Sequence, residues 1–406
     1  MRLSIVTRYS FPDDFMIGTS TSSFQIETPV DHQLKGLIGK DGSKLISTIA
    51  HEQRRSEDAR HIARLGDAYR FSLDWGRLQR YPYEPFQTDV VKEYRSFMEK
   101  LHQSGVKLHL VLHHFANPNW FENLGAWLSH ESSEIYLDYV RQVKRHFGDL
   151  ISNYDTFNEP GVYATFSYLS GFFPPYKKMR VISAEKVIRN MAYASDQAYD
   201  MLKRRNGKCN VGFAKSVLKP LPISLLGNVS AFMYKRHFIG SIMRTFKKKD
   251  YLGLNYYGEM PMGLMPLPRP NDKKKFDSLG LEHDDLWVYD PGDLKNIILS
   301  LQKKHGKPII ITENGYCGSD DKRRSRFIEE HLKSVHSAIS EGADVRGYFY
   351  WSTFDNFELF LGRTYRFGLV DIDYSSMRRK PKPSARFYQK LVKEKSFECH
   401  DNLRHH

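Results

Sequence analysis

The sequence predicts an α/β fold, a (β/α)8 barrel of the TIM type, from two observations. Short apolar or aromatic segments recur along the chain, and segments with helical periodicity separate them. A repeated order of strand, helix and strand indicates parallel pairing. Eight such units close a barrel, and 406 residues suit one with loop insertions at its C-terminal face. We therefore expect a single barrel domain over residues 1–406.

The predicted strands are short and mostly rich in β-branched or aromatic residues. The run Ile309–Ile311 shows no polar alternation, which is typical of a strand covered on both faces, and Gly315 marks its end. In chain order the strands are "FMIGTSTSS" from Phe15, "AYRFSLDW" from Ala68, "VKLHLVLHH" from Val106, "YDTFNEP" from Tyr154, "NVGFAKS" from Asn210, "YLGLNYYG" from Tyr251, "PIIITENG" from Pro308 and "VRGYFYWS" from Val345.

Helices are predicted between the strands, most clearly over Val90–Gly105 and Arg323–Gly342. In the second, Phe327, Ile328, Leu332, Val335 and Ile339 share one face of a helix that stops at Gly342. The stretches 218–250 and 259–307 are longer than a crossover needs, so we expect inserted loops there. The segment 262–275, "MGLMPLPRPNDKKK", has the composition of a loop excursion.

Cysteine usage and hydropathy predict a cytoplasmic protein. The thiols Cys209, Cys317 and Cys399 are odd in number and lack metal-ligand spacing, which fits a reducing compartment. The N-terminal stretch "MRLSIVTRYSFPDD" is too short and polar for a signal peptide. No apolar run approaches the roughly 18 residues that a membrane span needs.

The net charge of +14 and a pI near 9.4 raise the question of a polyanionic partner. The densest basic clusters are Lys247–Lys249, Lys273–Lys275, Lys322–Arg324 and Arg378–Lys380. They are scattered and match no nucleic-acid-binding motif. We expect solvated surface and no nucleic-acid partner, and a functional basic face remains the alternative.

Polar and ionisable residues collect where the predicted strands end, except at the fifth strand. In a barrel, that end carries the active site. Each residue alone has an ordinary structural reading: His114 as a core histidine, Trp351 as core, Arg70 as an ion-pair partner. Their shared placement is what favours a site, and its candidates are Gln25, Glu27, Arg70, His113, His114, Asn158, Glu159, Asn255, Tyr257, Glu313 and Trp351.

Two of these candidates, Glu159 and Glu313, end the fourth and seventh strands and so face each other across the barrel mouth. A pair of carboxyl groups, one protonated and one ionised, suits glycoside hydrolysis. Their separation decides between retention and inversion, and the sequence leaves both open. Arg70 and Tyr257 are donors that could hold one carboxylate ionised, and Asn158 suits a sugar hydroxyl.

Other side chains near the strand ends suit sugar recognition. Trp351 offers an apolar surface for the C–H face of a sugar ring. Gln25, His114 and Glu358 are directional groups that read hydroxyl positions.

The glutamate motifs resemble those of glycoside hydrolase family 1. "TFNEP" (156–160) is similar to its acid/base motif, and "ITENG" (311–315) to its nucleophile motif. Further resemblances follow in family order over nearly the whole chain: "TSSFQIE" (21–27), "YRFSLDWGRL" (69–78), "LHHFANPNWFENLGAW" (112–127), "LGLNYYG" (252–258) and "YWSTFDNFE" (350–358).

The resemblance implies a β-glucosidase-like retaining β-glycosidase, in a family that includes β-galactosidases and β-fucosidases, with no metal and no organic cofactor. Its substrate would be a small β-glycoside or oligosaccharide. By motif position, Glu159 is the acid/base and Glu313 the nucleophile that forms a covalent glycosyl-enzyme. The other implied roles are contact with Glu313 for Arg70 and Tyr257, the sugar 2-hydroxyl for Asn158, the sugar pocket for Gln25, His114, Trp351 and Glu358, and an aglycone platform for Trp287.

The sequence departs from the family pattern at two site positions. Leu359 stands where the family usually has a tryptophan that hydrogen-bonds the sugar, which puts sugar discrimination in doubt. Ala116 stands where a carboxylate is usual. The family members that act on phosphorylated sugars carry a smaller residue at the position of Glu358, whose charge would repel a phosphate.

Three alternatives remain. The barrel could bind sugars or polyanions with impaired turnover, or it could transfer the sugar to another acceptor. A metal hydrolase using His113 and His114 is disfavoured, because adjacent residues of a strand point to opposite faces and cannot easily share one ion.

Overall fold

The structure is a computed structural model, and it describes residues 4–204, 208–222, 225–262, 273–278 and 280–402. Eight parallel strands close a barrel in chain order, which confirms the predicted fold class. The described strands are β1 (Ser4–Ser10), β2 (Met16–Ser20), β3 (Ala68–Ser72), β4 (Lys107–Val111), β5 (Ile151–Asn158), β6 (Asn210–Ser216), β7 (Lys219–Pro222), β8 (Tyr251–Asn255), β9 (Glu259–Met262), β10 (Ile309–Asn314), β11 (Val345–Trp351), β12 (Val370–Asp373), β13 (Arg378–Pro381) and β14 (Ser396–Asn402). The barrel consists of β2, β3, β4, β5, β6, β8, β10 and β11.

Helices alternate with the barrel strands and cover the outside of the barrel. Single turns of 3-10 or π-helix lie at 126–128, 165–169, 235–241 and 359–361. The α-helices are α1 (Ser23–Ile26), α2 (His51–Arg64), α3 (Trp75–Leu78), α4 (Thr88–Gln103), α5 (Asn119–Asn123), α6 (Ser132–Phe147), α7 (Pro160–Ala164), α8 (Val181–Lys203), α9 (Leu225–Tyr234), α10 (Ile242–Thr245), α11 (Lys273–Ser278), α12 (Pro291–His305), α13 (Asp321–Ser340) and α14 (Pro383–Glu394).

The positions of the predicted barrel strands are confirmed, and one strand begins earlier than predicted. Seven begin at the predicted residue or one residue later, whereas β5 begins at Ile151 rather than at Tyr154. The burial pattern of β10 shows no exposed position, as the unbroken run Ile309–Ile311 predicts for a strand covered on both faces.

The two predicted helices are confirmed as α4 and α13. In α13 four of the five predicted apolar residues are buried, including Phe327, Leu332 and Val335, and Ile339 is half-buried. The Asp320 side chain caps its first turn by accepting hydrogen bonds from backbone N–H groups. The chain then leaves the helix through Gly342, which has a left-handed φ of 93°.

Smaller sheets lie outside the barrel. β1 and β14 pair antiparallel and join the two ends of the described chain. β7 and β9 pair in parallel and belong to the long segments after β6 and β8, where inserted loops were expected. Most of the predicted excursion at 262–275 lies outside the described residues.

Part of the positive charge is structural, so the expectation of solvated surface is wrong for three cluster members. Arg324 is fully buried and donates to the carbonyl oxygen of Tyr316 at 2.7 Å. Arg379 is buried and donates to Asp58 at 2.7 Å, and the Lys249 ammonium donates to a backbone carbonyl oxygen at 2.5 Å. Among the helices that the structure describes, none is long and apolar enough to cross a membrane.

Candidate active site

The two candidate glutamates sit where strands β10 and β5 open onto the C-terminal face of the barrel. Glu313 is the fifth residue of β10, and a Cβ on the nearby Gly315 would collide with the carbonyl oxygen of Trp351 in β11. Glycine therefore lets the ends of these two strands approach. Glu159 follows β5 directly and has a left-handed φ of 44°, which turns the chain into α7.

Glu313 is held by two donors. Its Oε1 accepts from Nη1 of Arg70 at 2.7 Å, and its Oε2 accepts from the Tyr257 hydroxyl at 2.7 Å. Burial raises the pKa of Glu313, and Arg70 and Tyr257 act against that rise. Both carboxylate oxygens are thus satisfied by groups that favour the ionised form.

Glu159 has different surroundings. Its Oε1 accepts one hydrogen bond from the neutral amide of Asn255, at 2.8 Å. Burial, and then the negative charge of Glu313, raise the pKa of Glu159 to about 7. The pair is therefore asymmetric: Glu159 tends to keep a proton while Glu313 lies against a cation.

Arg70 is fixed from behind by a residue that the sequence interpretation missed. Nε of Arg70 donates to Asp155 Oδ2 at 2.8 Å, and both side chains are fully buried. Burial disfavours the charge on Asp155, but His109 and Arg70 hold the pKa of Asp155 below its usual range. Asp155 also accepts from the Tyr251 hydroxyl at 2.8 Å. This network fixes the guanidinium that faces Glu313.

Arg70 also sets the orientation of Asn158 and, through it, the tautomer of His114. Nη2 of Arg70 donates to Asn158 Oδ1 at 2.7 Å, so the amide nitrogen points the other way, to His114 Nε2 at 3.0 Å. Because an amide nitrogen only donates, Nε2 must accept and Nδ1 carries the ring proton. Burial and the charge of Arg70 keep the pKa of His114 well below its ordinary value, so the ring is neutral. Among the described residues, none accepts from this buried Nδ1.

Gln25 and Glu358 form a second polar group of the site. Nε2 of Gln25 donates to Glu358 Oε2 at 3.1 Å, while its Oε1 accepts from the Ser22 hydroxyl at 2.6 Å. Burial, and then the charge of Glu313, raise the pKa of Glu358 to about 8. The Trp351 ring lies near this region with its centroid 5.9 Å from that of His114.

Trp287 lies at the edge of the site. It is half-buried and stacks on Tyr257 with ring centroids 6.5 Å apart. Its backbone N–H donates to the Asp284 carboxylate at 2.7 Å, and the backbone N–H of Cys317 donates to the same carboxylate at 2.9 Å. Burial raises the pKa of Asp284 to about 7. Asp284 therefore ties the Trp287 segment to the loop that follows β10.

The structure brings the predicted site residues together through direct contacts. Arg70 connects Glu313 with Asn158, Asn255 connects Asn158 with Glu159, and Tyr257 connects Glu313 with Trp287. The other members whose contacts are given above are Gln25, His114, Trp351 and Glu358. Glu27 lies outside this group and accepts from the Tyr94 hydroxyl at 2.7 Å.

The structure describes the surroundings of Leu359 and Ala116, the two departures from the family pattern, and of the pair His113 and His114. Leu359 is half-buried, packs against the core and has a left-handed φ of 46°. Ala116 is half-buried beside Asn117, whose Oδ1 lies 2.7 Å from His113 Nε2. His113 and His114 thus contact different partners, and among the described residues no group of three His, Cys, Asp or Glu side chains could hold a metal ion.

Sequence interpretation missed Asp155 and Lys215. Both are charged residues within predicted barrel strands, "YDTFNEP" and "NVGFAKS", and that position is the signal that could have found them. Lys215 belongs to the fifth strand, where no site residue was expected, yet it is only 3% exposed and lies within electrostatic reach of Glu159.

Comparisons with known proteins identify the family of the chain. The model of glycosyl hydrolase family 1 matches residues 7–251 and 241–397. A β-glycosidase from Pyrococcus horikoshii superimposes with a TM-score of 0.86, at 31% identity over 96% of each chain. β-Glucosidase A from Acetivibrio thermocellus is 24% identical over 97% of this chain and 100% of its own length. A cyanidin 3-O-glucoside 7-O-glucosyltransferase (acyl-glucose) from Delphinium grandiflorum is 28% identical over 96% of this chain and 92% of its own. The chain is therefore a glycoside hydrolase and belongs to glycosyl hydrolase family 1.

Proposed function

We propose that this enzyme is a retaining, β-glucosidase-like glycosidase that hydrolyses terminal non-reducing β-linked sugars by double displacement. The observation that carries the proposal is the unequal environment of its two buried glutamates. Glu313 accepts from Arg70 and Tyr257, whereas Glu159 accepts from the neutral Asn255 and has a pKa raised to about 7. Such a division of acid and nucleophile between two carboxyl groups is what glycoside hydrolysis needs.

In the first step, the Glu313 carboxylate attacks the anomeric carbon and the bond to the aglycone oxygen breaks. Glu159 gives its proton to that oxygen, so the aglycone leaves as a neutral alcohol and the sugar is held as an ester on Glu313. Arg70 and Tyr257 keep the attacking carboxylate ionised and oriented, since each donates to one of its oxygens at 2.7 Å.

In the second step, water replaces the aglycone. Once Glu313 is esterified its negative charge is gone, and one cause of the raised pKa of Glu159 goes with it. Glu159 then stays ionised and takes a proton from water, which attacks the anomeric carbon and breaks the ester. The sugar leaves with its original anomeric configuration, and Glu159 is protonated for the next cycle.

The sugar pocket is assigned to side chains with directed polar atoms around these glutamates. Arg70 fixes the orientation of the Asn158 amide, which we assign to the sugar 2-hydroxyl. The Nδ1–H of His114 is a donor for another hydroxyl. Gln25 and Glu358 would read further hydroxyls, Trp351 would pack on the ring, and Trp287 would support the aglycone. A sugar 6-phosphate would have to be buried near the Glu313 carboxylate, so phosphorylated substrates are disfavoured. Because the pKa of Glu358 is raised to about 8, Glu358 adds less repulsion at neutral pH than its charge suggested.

The test is a panel of nitrophenyl β-glycosides (glucoside, galactoside, fucoside, mannoside and glucoside 6-phosphate) assayed with wild type and Glu313→Gln. We expect turnover of the unphosphorylated sugars, with loss of several orders of magnitude in Glu313→Gln. The exposed Glu341→Gln is the control and should match wild type. Absence of turnover by folded wild type would move the assignment to a sugar-binding barrel.

Transfer to another acceptor is the second candidate, and one relative favours it. The Delphinium relative is named as a glucosyltransferase, and its name includes the term acyl-glucose. Hydrolysis and transfer share the ester intermediate and differ only in what attacks it. Adding alcohol acceptors at constant donor concentration separates them: a hydrolase releases mostly free sugar, and a transferase releases mostly the new glycoside.

A further inference from the structure

Lys215 is a buried lysine that the mechanism above does not use. It is the sixth residue of β6 and is 3% exposed, although lysine is almost never fully buried without a partner. Its ammonium donates to the carbonyl oxygen of Ser216, a neutral group. Burial lowers the pKa of Lys215 to about 8, and the negative charge of Glu159 opposes that decrease. The ammonium form of Lys215 is therefore favoured when Glu159 is ionised, which is the state that follows proton transfer to the aglycone.

The backbone places Lys215 beside Glu159. Ala214, the residue before Lys215, pairs with Asn158, and the Glu159 N–H donates to the Ala214 carbonyl oxygen at 2.9 Å. Lys215 Nζ lies 4.0 Å from the position that a Cβ on Gly161 would take, two residues after Glu159. The ammonium group therefore lies next to the first turn of α7, the helix that begins directly after Glu159.

We propose that Lys215 is a positioning residue for the acid/base step: its ammonium sets the proton affinity of Glu159 and stabilises the carboxylate that forms when Glu159 protonates the aglycone oxygen. This inference rests on the acid/base role proposed for Glu159. A purely structural role for Lys215, in which it only satisfies the end of β6, predicts no effect on proton transfer.

A comparison with the other charged groups around Glu159 supports a separate role for Lys215. Glu313 raises the pKa of Glu159, while Lys215 and Arg70 lower it. Arg70 is already engaged by two carboxylates, at 2.8 Å from Asp155 and 2.7 Å from Glu313. Of these two cations, Lys215 has the larger effect on the pKa of Glu159. The remaining titratable groups that interact with Glu159 are Tyr234, Tyr257 and Glu358.

Removal of this cation has a defined consequence. Without the ammonium, the Glu159 carboxylate is less stable, so its pKa rises and the alkaline limb of kcat/KM moves to higher pH. We expect a shift of about one pH unit for the loss of one cation in a buried site. At neutral pH the acid also becomes weaker, so substrates with poor leaving groups should lose more rate than nitrophenyl substrates.

The experiment compares the full pH profile of kcat/KM for Lys215→Met and Lys249→Met, with nitrophenyl and alkyl β-glucosides as substrates. Lys249 is the matched control, since it is also buried and donates to a backbone carbonyl oxygen, but outside the site. Lys215→Gln replaces Lys215→Met if the latter does not fold. The inference predicts an alkaline limb shifted upward only in the Lys215 variant, and an unshifted limb in an active Lys215 variant overturns it.

A Glu159→Gln background separates this inference from the proposed function. If Glu159 is the acid/base, Glu159→Gln alone removes the alkaline limb with an activated dinitrophenyl substrate, and Lys215→Met adds no further change in pH dependence. A limb that persists in Glu159→Gln would refute the role of Glu159. If Glu159→Gln removes the alkaline limb but Lys215→Met leaves it at the wild-type pH, the role of Lys215 is refuted and the role of Glu159 is not.

Discussion

Arg70 donates from Nη1 to Oε1 of Glu313 at 2.7 Å, inside a site where both side chains are buried. Away from water this contact is stronger than on a surface, and the guanidinium is already fixed by Asp155. The negative charge of the buried pair therefore belongs on Glu313, and the shared proton on Glu159. The predictions below follow from that distribution.

The Tyr257 hydroxyl should be the more replaceable of the two donors to Glu313. In Tyr257→Phe we expect kcat/KM to fall by about tenfold to a hundredfold, which corresponds to the loss of one hydrogen bond to a charged group. The pKa of Glu313 should rise, so the acid limb of the profile moves to higher pH. Tyr256→Phe is the control, since its hydroxyl lies 3.5 Å from the Asp290 carbonyl oxygen. Equal effects of the two changes would refute the contact.

The pH dependence of kcat/KM should be bell-shaped. On the alkaline side, activity is lost as the pH rises through about 7, because Glu159 loses the proton that it must donate. On the acid side, activity is lost as the Glu313 carboxylate takes up a proton. The two apparent values belong to the coupled pair. A profile that stays flat between pH 4 and 8 would contradict this assignment.

Asp284 should control the Trp287 segment without touching the sugar site. In Asp284→Asn, the new amide group faces one of the backbone N–H groups of Leu286, Trp287 and Cys317, and leaves a buried donor unsatisfied. We expect a loss of about 1–3 kcal/mol in the free energy of unfolding. KM for bulky aryl glucosides should rise while kcat changes little.

The control for that change is Asp285→Asn, because Asp285 pairs with Lys273 at a more exposed position. Thermal unfolding and Michaelis kinetics on small and bulky glucosides provide the measurements. If Asp284→Asn and Asp285→Asn behave alike, the three backbone contacts do not hold the Trp287 segment.

Leu359 offers a test of sugar discrimination. A tryptophan at this position would add an indole N–H, and one extra hydrogen bond to a sugar hydroxyl is worth about 0.5–1.5 kcal/mol, or roughly a twofold to tenfold change in kcat/KM. We expect Leu359→Trp to change the ranking of glucoside, galactoside and fucoside. Leu359→Phe supplies similar bulk without a donor, so an equal change in that variant would assign the effect to shape.

Much of the barrel could be predicted because its signals are local. Each predicted strand contains apolar or aromatic residues, and the spacing of these segments along the chain left little freedom for another fold. The early start of β5 was missed because Ser152 and Asn153 are polar residues. Asn153 is nevertheless buried, and its Oδ1 accepts a hydrogen bond from Asn210 at 3.0 Å. The pairing of β1 with β14 links opposite ends of the chain, and no local pattern encodes it.

A site residue could be predicted where it belongs to a recognisable motif. It could not be predicted where its burial depends on a partner that is distant in the sequence. Glu159 and Glu313 interrupt apolar strands at their ends, so they stand out in the sequence. Lys215 would ordinarily be taken for a surface lysine, and its burial beside Glu159 depends on the pairing of β6 with β5. Asp155 has its partners, Arg70 and Tyr251, on other strands of the barrel.

Covalent trapping tests the central claim most directly. The enzyme is incubated with a dinitrophenyl 2-deoxy-2-fluoro-β-glucoside, which slows hydrolysis of the glycosyl ester, and its intact mass and peptide masses are measured. We predict one added fluoroglucosyl group per chain, located on the peptide that contains Glu313, and no addition in Glu313→Gln. An adduct on Glu159, or release of dinitrophenol with no adduct at any residue, would contradict the assignment of Glu313 as the nucleophile.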